Sequence, residues 1–86
     1  MAYKSLMLSR EQILGARAML GMTRAELAAM VGLSATGLSN IENGISDPKV
    51  STMEAIRKAL EASGIVFIPE DTLGSGVRLK KPKRRR

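Results

Sequence analysis

The segment from Thr23 to Gly44, TRAELAAMVGLSATGLSNIENG, restricts the possible folds of this chain more than any other stretch. It holds two short helical patterns separated by Val31-Gly32-Leu33-Ser34. Thr23 and Glu26 have capping-box spacing, which predicts a helix from there to about Val31 with Leu27, Ala28 and Val31 as its inner stripe. Gly32 permits a turn residue with positive φ. Ser34 can cap a second helix running to about Asn43, with Leu38 and Ile41 inward and Gly44 as its stop. Where two helices cross closely the residue at the contact must be small, and Ala28 stands four residues before the glycine. Leu33, Leu38 and Ile41 then pin the second helix against the first. The outer face of that second helix carries uncharged hydrogen-bonding side chains, an arrangement suited to a helix held in the major groove of DNA.

The flanking sequence supplies the rest of a small domain. Ser9 and Gln12 form a further capping box, and Ile13, Ala16, Met19 and Leu20 follow at helical spacing up to a stop at Gly21. Asp47-Pro48 marks a loop. A fourth helix is predicted over roughly Val50 to Ala62, with Val50, Met53, Ile56 and Leu60 inward, either Ser51 (paired with Glu54) or Lys49 as cap, and Gly64 as stop. Ile65-Val66-Phe67-Ile68, closed by Pro69, reads as a short strand, and Val77-Arg78-Leu79 alternates and could pair back on it. The last residues, KKPKRRR, have no apolar content and are predicted to be disordered. The expected organisation is an N-terminal arm over 1–8, a helical domain over 9–64, a β segment over 65–79 and a basic tail over 80–86.

Composition removes several classes of function. The chain has no cysteine, so it has no disulfide framework and no thiolate zinc site. It has no histidine, which excludes Ser-His triads and leaves metal binding to carboxylates alone. No carboxylate pair, nucleophile–base set or phosphate loop is legible, so no enzyme, cofactor or metal is expected. No apolar run approaches the ~20 residues of a membrane span, no signal peptide is visible, and a cytoplasmic protein is expected. The net charge is +6, but residues 78–86 carry seven of the fourteen basic side chains. Residues 1–77 hold the other seven and all eight acids, a balance of about −1. The positive excess therefore belongs to the tail, and overall charge is weak evidence for a DNA-binding face.

Between about Arg17 and Leu60, through TRAELA, VGLS, LSNIENG and the following Asp47-Pro48, the chain resembles the Cro and phage-repressor family of helix-turn-helix regulators, the XRE type. The resemblance implies a mainly α, four-helix lambda-repressor-like DNA-binding domain, here extended by a short C-terminal β-strand or hairpin and the basic tail. It implies a salt bridge between Arg17 and Glu42 that serves orientation more than stability. It places Ala35, Thr36, Ser39 and Asn40 at base edges, with Asn40 best suited because an amide can bond two edges of adenine. It gives Arg24 a phosphate or the edge of the site, and the helix starts at Thr23 and Ser34 phosphates favoured by the helix dipole. Asn43 and Lys49 become backbone contacts that set register. Lys80, Lys81, Lys83, Arg84, Arg85 and Arg86 form an arm that follows phosphates or enters a minor groove. Two departures stand out: Gly37 lies inside the reading helix, at a cost of ~1 kcal/mol relative to Ala, and that face is short of Arg and Lys.

The strand Ile65 to Ile68 has two readings. It packs over the fourth helix, or Ile65, Val66, Phe67 and Ile68 pair with a second copy and cover an exposed edge; the second is preferred. The six methionines read as core fillers. The whole implies a bacterial or mobile-element transcriptional regulator, a repressor or controller that regulates its own gene. It would bind an inverted repeat as a homodimer, with reading helices ~34 Å apart. The alternatives are an antitoxin, with a toxin as partner at the β segment, and a protein-interaction module that has lost DNA binding. RNA polymerase is a further partner for an activator; a membrane is not expected.

Overall fold

Side-chain caps start the first three helices where the sequence places them. The protein is described by a computed structural model covering residues 8–81. Helix α1 spans Arg10–Leu20, with Ser9 as cap and Gln12 closing the capping box. Helix α2 spans Arg24–Val31, with the Thr23–Glu26 box at its start. Helix α3 spans Ala35–Glu42, capped by the Ser34 hydroxyl, which accepts from the Gly37 amide at 2.9 Å. Gly21 and Gly32 follow α1 and α2 with φ of 63° and 74°, a left-handed conformation that a β-carbon disfavours. Helix α3 ends one residue before the expected Asn43, which becomes its C-cap.

Helix α4, Val50–Ala62, resolves the ambiguous cap in favour of Lys49, whose side chain makes no capping bond. Val50 was expected inward and is instead exposed. It is the first helical residue, and the buried stripe begins one turn later at Met53 and continues through Ile56 and Leu60. The methionines also divide: Met53 is buried and Met22 packs against the core, but Met19 and Met30 are exposed. The filler reading therefore fails at those two, and Met1 and Met7 lie outside the described residues.

The core gathers one stripe from every helix. Ile13 and Ala16 of α1, Leu27 and Ala28 of α2, Leu38 and Ile41 of α3, and Met53, Ile56 and Leu60 of α4 are all buried, and Ile65 joins them from the segment that follows. Among the described residues the chain ends in a two-stranded antiparallel sheet, β1 (Ile65–Ile68) and β2 (Gly76–Leu79). The register sets Ile65 opposite Leu79, Phe67 opposite Val77 and Ile68 opposite Gly76. The Lys80 amide adds a bond to the Gly64 carbonyl at 2.8 Å, so the ladder continues one step past the expected boundary of the tail. At the other end the Asp71 carboxylate accepts from the Leu73 amide, and Gly74 turns with φ of 94°.

Two contacts seat this hairpin on α1. A β-carbon on Gly15 would lie 3.3 Å from Val77 Cγ2, so the missing side chain lets the strand approach the helix closely. Gln12, buried apart from its capping role, donates from Nε2 to the Ile68 carbonyl at 3.3 Å and to the Gly76 carbonyl at 3.0 Å. Those two residues face each other across the hairpin, so one side chain ties both strands to the start of α1.

Candidate nucleic-acid interface

The helix-turn-helix unit is built by α2 and α3. Ala28 is 2% exposed where the helices meet, and the Leu33 amide bonds back to its carbonyl at 2.9 Å, closing the turn through Gly32. Leu38 and Ile41 are buried beneath α3. With that stripe turned inward, the opposite side of α3 presents the side chains singled out in the sequence.

Ala35 and Thr36 are exposed at the start of α3, and Ser39 and Asn40 are half-buried one turn on. Ser39 and Asn43 are brought together: Asn43 Nδ2 donates to Ser39 Oγ at 3.3 Å. The side-chain amide of Asn40 has no hydrogen-bond partner among the described residues, while its backbone carbonyl accepts from Ile45 and Ser46. Thr23 and Ser34 are exposed, each with its hydroxyl oxygen accepting a cap bond, and Lys49 is exposed at the start of α4. A β-carbon at Gly37 would stand 3.2 Å from Ser34 Oγ, but Gln12 and Glu26 carry side chains at the same position after Ser9 and Thr23, so crowding of the cap does not account for the glycine.

Behind this face sits a buried carboxylate. Glu42, the last residue of α3, has a side chain with no solvent exposure. Arg17 clasps it with two bonds, Nε to Oε2 at 2.7 Å and Nη2 to Oε1 at 3.0 Å. The pair expected between Arg17 and Glu42 is thus present, and it joins α1 to α3. Arg17 Nη1 also donates to the Met22 carbonyl at 3.0 Å and ties down the turn between α1 and α2. The sequence reading missed the third member: Arg24 Nε donates to Glu42 Oε1 at 2.9 Å. Burial works to raise the Glu42 pKa, but the hydrogen bonds and charges of Arg17 and Arg24 outweigh it and hold the carboxyl below its ordinary value. Arg10 approaches the same helix end from outside, with Nη1 3.3 Å from the Glu42 carbonyl, where a cation suits the negative end of the helix dipole. The sequence signal for Arg24 was its place just after the cap, which suggested solvent and phosphate rather than a buried acid eighteen residues away.

The segment expected at a dimer interface is partly occupied within the chain. Ile65 is 1% exposed and belongs to the core, and Phe67 packs against that core. Their side chains face the protomer's own interior, because β1 alternates and these two lie on its inner face. Val66 and Ile68 fall on the other face and are half-buried. Of the tail, Lys80 and Lys81 are exposed; Lys83, Arg84, Arg85 and Arg86 lie outside the described residues.

A capped helix pair with a small-residue crossing, and a polar outer helix locked from behind, define a helix-turn-helix module. The family model described as Helix-turn-helix matches residues 13–66, more than half of the chain. The chain belongs to this family, in its Cro and phage-repressor, XRE-type branch. It is a family of DNA-binding transcriptional regulators. No curated protein matches the chain. Among the described residues no helix is long and apolar enough to cross a membrane.

Proposed function

We propose that the protein is a sequence-specific transcriptional regulator, a repressor or controller of its own gene, that binds an inverted-repeat operator as a homodimer. The observation that carries this reading is the outer side of α3: Ala35, Thr36, Ser39 and Asn40 stand on a helix anchored by Leu38, Ile41 and Glu42. Asn40 with an uncommitted amide is the principal base reader, preferring adenine. Thr36 and Ala35 offer methyl groups to thymine, and Ser39 keeps a hydroxyl proton to donate. Thr23, Arg24, Ser34, Asn43 and Lys49 contact the backbone and set register. Two copies and the basic segment from Lys80 onward supply the attraction that the near-neutral domain lacks. No catalytic step and no cofactor are part of this reading, and it places the protein in the cytoplasm with DNA and a second copy of itself as partners.

Binding of labelled duplex from the region upstream of the protein's own gene tests it. A preference over scrambled duplex at moderate salt is expected; equal binding of both rules out a sequence-specific regulator. A chain ending at Lys81 should show a shallower salt dependence, and an unchanged slope would remove the tail from the interface.

A further inference from the structure

The two arginines on Glu42 are not equivalent. Arg17 is only 15% exposed in its side chain and uses Nε, Nη1 and Nη2 on Glu42 and the Met22 carbonyl. Arg24 is 40% exposed and is held through Nε alone; among the described residues its two Nη groups donate to no protein atom. The cluster holds two positive charges against one negative, so it carries a net +1 whose accessible part is the Nη edge of Arg24. That edge stands at the first residue of α2, on a domain otherwise short of positive charge. The anchoring carboxylate ends α3, so Arg24 is tied directly to the reading helix.

We infer that Glu42 holds Arg24 as a pre-set clamp for a DNA phosphodiester, with Nε on the buried carboxylate and the Nη pair on the phosphate. The inference rests on the DNA-binding reading and deepens it. Glu42 is then a positioning residue for DNA affinity as well as a strut between α1 and α3. A guanidinium can serve both partners because its five donors form a rigid fork, and holding Nε leaves the Nη pair aimed outward. A lysine ammonium gathers its three donors on one atom, so the buried carboxylate holds it back from the phosphate. The clamp therefore distinguishes itself from a simple charge contact.

The experiment uses the full chain and two labelled duplexes, one from its own upstream region and one scrambled, titrated across a salt series. Arg24→Ala and Arg24→Lys are compared with the wild type, with thermal melts as the check of folding. Both variants should lower the salt slope of the bound homodimer by about 1.8, the loss of one phosphate contact from each protomer, and to a similar extent on both duplexes. Arg24→Lys with a wild-type slope overturns the clamp in favour of plain charge attraction. Wild-type slopes in both variants show that Arg24 touches no phosphate. If Arg24→Ala melts early because Glu42 keeps a single partner, Arg24→Lys decides alone, since it retains a positive charge beside the carboxylate. A wild-type chain that binds neither duplex at low salt defeats the DNA-binding reading itself, an outcome distinct from both of these.

Discussion

Asn40 and Glu42 are two residues apart on one helix and do opposite work. The Asn40 amide has no hydrogen-bond partner among the described residues, whereas Glu42 is buried and fully engaged. Replacing Asn40 by Ala should cost ~1–3 kcal/mol at one operator position and leave binding to unrelated duplex nearly intact. Equal weakening on all DNA would show that it reads no base. Glu42 should leave its mark on stability against pH. Its folded pKa is lowered, so its stabilisation is complete above the unfolded carboxyl pKa of 4.5 and is lost as pH falls through the folded value. Urea unfolding from pH 7 to pH 3 should thus show a steeper acid decline in the wild type than in Glu42→Gln. Parallel declines would mean that the buried pairs add no pH-dependent stability. Both residues were legible in the sequence, Asn40 from its place on the helix and Glu42 from the NIENG motif. The bond from Arg24 to Glu42 was not, because a residue just after a cap normally projects into solvent, and only the approach of α2 to the end of α3 brings the two together.

At the scale of elements, the boundaries of the first three helices followed from local chemistry to within a residue or so. Caps and left-handed glycines act on their own turn, so Ser9, Thr23, Ser34, Gly21 and Gly32 are informative without any tertiary context. Lys49 shows the limit: with no capping side chain, α4 starts where packing of Met53, Ile56 and Leu60 places it. The hairpin depends on a contact that no local pattern reveals. Gln12 was legible as a capping-box member, yet its Nε2 also serves the carbonyls of Ile68 and Gly76, more than fifty residues away. Gln12→Glu separates the two roles, since a glutamate still completes the capping box but meets the strands with an acceptor instead of a donor. A loss of about 1–3 kcal/mol in urea unfolding is expected. Unchanged stability would make the cap its only contribution.

At the scale of the whole molecule, the proposed homodimer needs a surface on which two copies meet. Dimerisation through β1 was anticipated from Ile65 to Ile68 as a block, but alternation and the core split that block. Ile65 and Phe67 are turned to the protomer's own interior, so a charge at Phe67 would test folding as much as association. Val66 and Ile68 on the outer face are the side chains a second hairpin could meet. Val66→Asp should convert dimers to monomers in sedimentation with little change in thermal melting. Persistent dimers would place the interface on another surface.

The pattern of residues between Ser9 and Gly64 already specified a capped four-helix domain with a close-packed helix pair, because capping, turn conformation and helical periodicity act over a few residues. Which side of α3 faces outward followed from the same periodicity, with Leu38 and Ile41 inward. Tertiary structure decided what sits behind and beside that helix. It brought Arg24 to Glu42, seated the hairpin on Gly15 and Gln12, turned Phe67 inward and left Val50 exposed. Each of these depends on which surfaces meet across distant segments, and a local pattern carries no record of that.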